Sequence, residues 1–199
     1  MSALTATPKG SATRDAIVDR AYEIARFSGV EGLSIGPLAQ AVGMSKSGVF
    51  AHFGSREDLQ LAVIESAAAR FAEGVLVPAL SKERGLPRLR AIMDNWFDWI
   101  RSNAGGCVLM GAVSEYDDRP GLLRDQVLLN EQRWRDMLRR AIQLSIDCGH
   151  LRAGDTRQYA FELYALPLAV HHEAGLFGYE QARQLGETAV ERWLSAHAP

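Results

Sequence analysis

Between Leu38 and Phe53 the chain reads LAQAVGMSKSGVFAHF, and several of these side chains could recognise a polyanion or a base edge. Lys46 can donate to guanine N7 or O6, or to a phosphate. Ser47 and Gly48 are small enough to let a backbone approach closely. Elsewhere the candidates for chemistry are few. His171-His172-Glu173 suggests a metal site, but adjacent helical positions point about 100° apart, so the two imidazoles do not converge on one ion. Cys107 and Cys148 lack metal-ligand spacing and read as buried free thiols. No nucleophile–His–acid set and no glycine-rich phosphate loop is present, so the expectation is no enzyme and no cofactor.

The elements that must position Lys46, Ser47 and Gly48 can be read from the same stretch. Ser34 stands as an N-cap, with Pro37 in the first turn that follows, where a missing amide costs little. A short helix over 35–42 buries Leu38 and Ala39, and Gly43 breaks it. Ser45 starts a second short helix that ends near Phe53, before Gly54. Two short helices about a tight glycine turn form a helix-turn-helix. Ala39 must be small where the helices cross, and Val49 turns inward to fix the second helix on the first. That leaves residues 46–48 at the exposed N-terminal end of the second helix, the part such a motif presents to the major groove.

Bulk properties neither help nor forbid this reading. The 199 residues are 47% hydrophobic, enough for a real core, and the formal net charge is −2. Residues 1–60 hold Lys9, Arg14, Arg20, Arg26, Lys46 and Arg56 against Asp15, Asp19, Glu23, Glu31, Glu57 and Asp58, a balance of zero. Any attraction to DNA must come from where these charges sit. The first twelve residues have no apolar stretch like a signal peptide, and no run approaches the ~20 apolar residues of a membrane span. A soluble, cytoplasmic protein is expected.

The string resembles the N-terminal signature of the tetracycline-repressor (TetR) family. The matching residues are Gly29, Ser34, Leu38-Ala39, Gly43-Met44-Ser45, Val49-Phe50, His52-Phe53 and Arg56-Glu57-Asp58-Leu59, in order and without gaps over about residues 13–60. The resemblance implies roles. Ser34 would cap its helix and bond a phosphate, Lys46, Ser47 and Gly48 would face the major groove, and His52 and Arg56 would touch the DNA backbone. Two positions depart from the pattern. Phe50 replaces the usual tyrosine and lacks its hydroxyl, and Gly36 stands where a polar side chain often reaches DNA.

The implied fold is all-α: a three-helix helix-turn-helix head and a helical bundle for ligand binding and dimerisation, about nine helices in all. Residues 1–12 read as a flexible arm, 13–55 as the head and 56–199 as the bundle. Thr13 would cap the first helix and Gly29 stop it. A long helix opens at Ser55-Arg56-Glu57-Asp58, a loose capping box, and ends before Pro78. Later helices cover about 122–148, 155–177 and 179–197, with Asp155 and Gln158 as another capping box. The last two would pair with their copies in a homodimer, through Leu163, Leu166, Val170, Leu185, Ala189 and Trp193. Pocket candidates are Trp96, Trp99, Met110, Tyr116, Trp134, Tyr164 and His171, and Pro167 would kink a pocket wall or end a helix. The implied function is a repressor released from a palindromic double-stranded DNA operator by a small apolar or aromatic effector. The alternative is a helical-bundle small-molecule-binding protein or enzyme whose head does not bind DNA.

Overall fold

The computed structural model describes residues 8–199, with side chains from Gly10 onward. The chain is all-α. Its helices are α1 (Pro8–Ser28), α2 (Ile35–Ala41), α3 (Lys46–Phe53), α4 (Arg56–Phe71), α5 (Val77–Leu80), α6 (Leu86–Ser102), α7 (Val108–Tyr116), α8 (Leu122–Asp147), α9 (Thr156–Phe177) and α10 (Tyr179–Ala196). A π-helical turn, Ala72–Leu76, joins α4 to α5. Counting that unbroken run once gives nine helices among the described residues. None of them is long and apolar enough to cross a membrane.

The chain forms two compact units. One runs through Ala69 and takes in Gly106–Leu128. The other comprises Arg70–Gly105 and Leu129–Pro199. This differs from a boundary at 55/56, because α7 carries Val108, Ala112 and Tyr116 into the same core as Ile17, Ala21, Leu38, Val49 and Leu59. Periodicity shows that a helix has an apolar face but not which core receives it. The chain passes from one unit to the other inside α4, at Gly105-Gly106 and inside α8.

In the first unit, α1 starts at Pro8, so residues 8–12 of the expected arm are helical and Thr13 is interior rather than a cap. Residues 1–7 lie outside the described residues. Proline is well suited to an opening helical turn, having no amide to satisfy there. The other end of α1 stops as expected: the Gly29 N–H bonds Ala25 O at 2.9 Å with φ +74°. A Cβ at that position would also stand 1.8 Å from Glu115 Oε1. Residue 29 is therefore glycine for two reasons, its left-handed backbone and the close approach of that carboxylate. The same carboxylate group accepts from the Glu31 N–H at 2.9 Å.

Several capping expectations change in detail. Ser34 has the extended backbone of an N-cap but makes no side-chain capping bond. Ser45 does cap, accepting from the Gly48 N–H at 3.0 Å. Ser55 accepts from the Asp58 N–H at 3.0 Å, while its own hydroxyl donates to the Asp58 carboxylate at 2.6 Å, where in a true box the Ser55 backbone amide would be the donor. Asp155 accepts from the Arg157 N–H, and Gln158 turns away to Glu162, so no reciprocal bond forms there either. The long helix passes Pro78 and ends at Leu80. The π turn just before it changes the hydrogen-bond register, which is one way a helix accommodates an inserted residue or a missing amide.

The second unit is built on α6, α9 and α10 with the larger part of α8. Phe97, Met93, Leu138, Ile142 and Leu163 are among its fully buried side chains. Each contributes roughly 1.5–3 kcal/mol relative to exposure. Gly186 on α10 lets α9 and α6 come close, since a Cβ there would stand 2.4 Å from Val170 Cγ2 and 3.0 Å from Phe97 Cζ. Pro167 is buried inside α9, which continues to Phe177. The helix-end reading of that proline therefore fails.

Candidate nucleic-acid interface and aromatic cluster

The local order of α3 follows from its two faces. Val49 and Phe53, four apart, are buried against the head core, and Val49 is fully inaccessible. The opposite ridge leaves Lys46, Ser47, Phe50 and Ala51 exposed. Gly48 and His52 lie half-buried between the two faces. At the turn before α3, Gly43 takes φ +67°, a conformation that disfavours any side chain. The Met44 N–H then reaches back to Ala39 O at 2.9 Å and locks α2 to the turn.

Polar groups at the start of α3 are organised by Ser45. Besides capping Gly48, its hydroxyl shares a 3.0 Å hydrogen bond with the Ser47 hydroxyl. Lys46 leans over the first turn of α2, so that a Cβ on Gly36 would lie 3.2 Å from Lys46 Cε and 3.5 Å from Nζ. Gly36 thus removes one polar group from the surface and makes room for another, the Lys46 ammonium. Arg14 stacks its guanidinium on the Phe53 ring at 4.9 Å.

Arg56 sits differently from a free backbone clamp. Its Nε donates to Leu33 O at 2.8 Å, its Nη2 donates to Glu31 O, and the Glu31 carboxylate is 3.5 Å away. The guanidinium therefore ties the start of α4 to the α1–α2 loop, which holds the helix-turn-helix in place. Behind it lies a network that sequence reading missed. Gln60, buried, donates to Val30 O at 2.8 Å and contacts the Tyr116 hydroxyl at 3.4 Å. Tyr116 in turn donates to Glu31 Oε2 at 3.1 Å. Burial first, then the Glu31 contact, push the Tyr116 hydroxyl well above the usual tyrosine range, so it stays a donor. One signal was legible: a glutamine between Leu59 and Val63, on a helix face otherwise apolar.

Of the expected pocket residues, the structure brings four together in the second unit. Trp96 and Trp134 meet edge to face at 4.8 Å, and Trp96 meets Tyr164 at 5.6 Å. Phe71 is the hub, contacting Trp96, Trp99 and Trp134 at 5.6, 5.5 and 4.7 Å. It was not among the expected pocket residues, because at the end of a long apolar helix it looks like ordinary core. Trp99 packs on Gly74 of the π turn, and Asn95 donates to Val75 O there. The Tyr164 hydroxyl donates to Glu131 at 2.8 Å under the Arg135 guanidinium. Burial, then Glu131, raise its pKa above the ordinary tyrosine range. The Nε1 atoms of Trp99 and Trp134 are buried with no acceptor.

Two candidates lie in the other unit, and a third, His171, makes no ring contact with this group among the described residues. Met110 and Tyr116 belong to the other unit, and Tyr116 is committed to the head core. His171 is half-buried on α9, its pKa lowered first by burial and then by His172. The cysteines are less hidden than expected, with Cys107 part-exposed and Cys148 exposed. A recess of about 520 Å³ on α10, lined by Glu187, Thr188, Glu191, Arg192 and Ser195, shares no residue with the aromatic cluster.

Comparison with known proteins agrees with this architecture. The family described as bacterial regulatory proteins, tetR family, matches residues 17–63, and the tetracyclin repressor-like C-terminal domain matches residues 85–190. The second match alone covers more than half of the chain, and the chain belongs to the TetR family of bacterial regulatory proteins. The repressor AcnR of Corynebacterium glutamicum is 32% identical over 100 residues, 49% of this chain and 50% of that one. The chain thus spans about half the length of that relative. A TetR-family transcriptional regulator from Streptomyces coelicolor shares the fold with a TM-score of 0.84 at 23% identity, covering 95% of this chain and 97% of the other. AibR, solved in complex with isovaleryl coenzyme A and operator DNA, shares it with a TM-score of 0.71 at 23% identity, covering 88% and 97%.

Proposed function

We propose that this chain is a sequence-specific DNA-binding transcriptional repressor that acts as a homodimer and releases its operator when a small molecule binds the second unit. The observation that carries the reading is the exposed ridge of α3, with Lys46, Ser47 and Phe50 on a helix fixed from behind by Val49 and Phe53. A rigid helix presenting donors and an apolar group outward is what direct base readout requires. In this reading His52, half-buried at the far end of α3, touches the sugar–phosphate backbone, and Ser34, exposed and with its hydroxyl free of capping duty, is a second backbone contact.

The dimer reading is supported by an unpartnered stripe on α9. Phe161, Ala165, Ala169, His172 and Leu176 recur at helical spacing and are all exposed, with Leu185 exposed on α10. Leu163 and Val170, expected in the interface, are buried within the protomer instead. Two heads related by a two-fold axis would read half-sites about 34–36 Å apart.

The effector reading rests on the aromatic cluster. An apolar wall with a few placed polar groups is the usual make-up of a small-molecule site. Two buried indole N–H groups without acceptors each cost about 1–3 kcal/mol. A ligand that supplied a carbonyl or carboxylate oxygen to them would recover that cost, so the effector is an apolar or aromatic body bearing an acceptor. It would shift the protein toward release only by its difference in affinity between the two states. AibR offers a parallel, having been solved with both an acyl-thioester ligand and operator DNA.

Selection of bound duplexes from a random library tests the proposal. Enrichment of a palindrome by the intact protein, weakened by Lys46→Ala, is the expected result. Absence of any enriched sequence at low salt would refute it and favour the small-molecule-binding alternative.

A further inference from the structure

We propose that Phe50 reads a thymine methyl group in the major groove, so that each half-site holds an A·T pair of fixed orientation opposite the middle of α3. The inference rests on the DNA-binding reading above and deepens it. It starts from an oddity of the recognition helix. Phe50 is 43% exposed, on the same ridge as Lys46 and Ser47, while Val49 and Phe53 on either side of it in sequence are buried. Among the described residues Phe50 stacks on no other ring. Its neighbour Ala51 is also exposed, so the middle of the ridge is an apolar patch beginning one turn after the polar start of the helix.

The chemistry of the groove narrows what such a patch can meet. Phenylalanine has neither donor nor acceptor, so it makes no hydrogen bond to a phosphate or to N7, O6, N6, N4 or O4. The one apolar group that a base pair presents in the major groove is the C5-methyl of thymine. The polar start of α3 is suited to other partners, with the Lys46 ammonium over Gly36 and the Ser47 hydroxyl shared with Ser45. Ala51 adds no bulk beside the ring, leaving its edge free to approach the groove floor. A side chain with no phosphate-bonding hydroxyl is useful at this position because it exchanges an unspecific contact for one that distinguishes T from C, G and A.

The test removes one methyl group at a time. The operator obtained by selection is resynthesised with each thymine replaced singly by 2′-deoxyuridine, and binding of the full-length protein is measured. One thymine per half-site should weaken binding roughly fourfold when replaced, the equivalent of one buried methyl. Phe50→Ala should bind both versions of that position equally while keeping its response to every other substitution. Phe50→Tyr, which keeps the ring, should retain the discrimination. Circular dichroism of the variants should be unchanged, since the side chain lies outside the core. Specific binding with no uridine-sensitive position, or with a sensitivity that persists in Phe50→Ala, would overturn the assignment while leaving the DNA-binding reading intact. No specific binding to any duplex would overturn both.

Discussion

Removing the Tyr116 hydroxyl is the perturbation whose consequence can be worked most fully. In Tyr116→Phe the ring stays in the head core, where the residue is 3% exposed, and only the hydroxyl is lost. The Glu31 carboxylate gives up one donor at 3.1 Å but keeps Arg56 at 3.5 Å and is about half exposed, so water replaces most of what is removed. Gln60 keeps Val30 O at 2.8 Å and gives up only a weak interaction at 3.4 Å. A hydrogen bond to a charged group contributes about 1.5–3 kcal/mol when fully buried, and partial solvation brings this to about 1–1.5 kcal/mol. For a chain of this size that corresponds to a fall in Tm of roughly 2–6 °C. Tyr116→Ala should cost about 3–5 kcal/mol, because it also empties the ring's volume. Differential scanning calorimetry of the two variants beside the parent gives the comparison. A Tyr116→Phe protein as stable as the parent, or as damaged as Tyr116→Ala, would refute the claim that this hydroxyl ties α7 to the α1–α2 loop.

Three further outcomes follow from the same geometry. Gly106→Ala should destabilise by more than about 3 kcal/mol or prevent folding, since the new Cβ would lie 1.6 Å from the carbonyl oxygen of Arg26 and backbone cannot step aside cheaply; a soluble variant with an unchanged melting curve would be the contrary result. Trp134→Phe should cost less than about 1.5 kcal/mol by thermal melt, because the smaller ring leaves a void but also removes a buried N–H without an acceptor, and a loss above about 3 kcal/mol would show that the N–H is satisfied. His171, its pKa depressed below the ordinary 6.5 by burial, is neutral in the folded protein where the unfolded chain takes up a proton. Its contribution is complete above pH 6.5 and is lost as pH falls from there through the folded-state value, so His171→Gln should flatten the fall in Tm over that acidic window, and an unaltered pH profile would contradict it.

How far the sequence reached is instructive at particular residues. The helix-turn-helix was legible because its constraints are local: Gly43 must take a positive φ, Ser45 must cap, and Val49 must point inward, and each is specified within a few residues. Trp96 and Trp134 were legible as inward-facing because each lies on the apolar stripe of its own helix, but that spacing does not say that they meet Phe71 while Met110 and Tyr116 join the other unit. Arg56 and Tyr116 were harder. Both read as side chains for a ligand or a phosphate, and nothing in the sequence signals that both also contact Glu31, since no periodicity reports which core a helix joins. Leu163 and Phe161 show the same limit on α9. Both are apolar and two positions apart, and only the placement of α10 and α6 decides which of them is covered.

The most direct test of the central claim is the ratio of affinities of the intact protein for its selected palindrome and for a scrambled duplex of the same composition, measured by fluorescence anisotropy at one fixed salt concentration. A specific regulator should favour the palindrome by at least about 10³-fold. Lys46→Ala should lower the ratio or, if its ammonium meets a phosphate, reduce the salt slope by about 0.9 for each phosphate no longer neutralised. A ratio near one, with binding to both duplexes vanishing together as salt rises, would contradict sequence-specific recognition through α3.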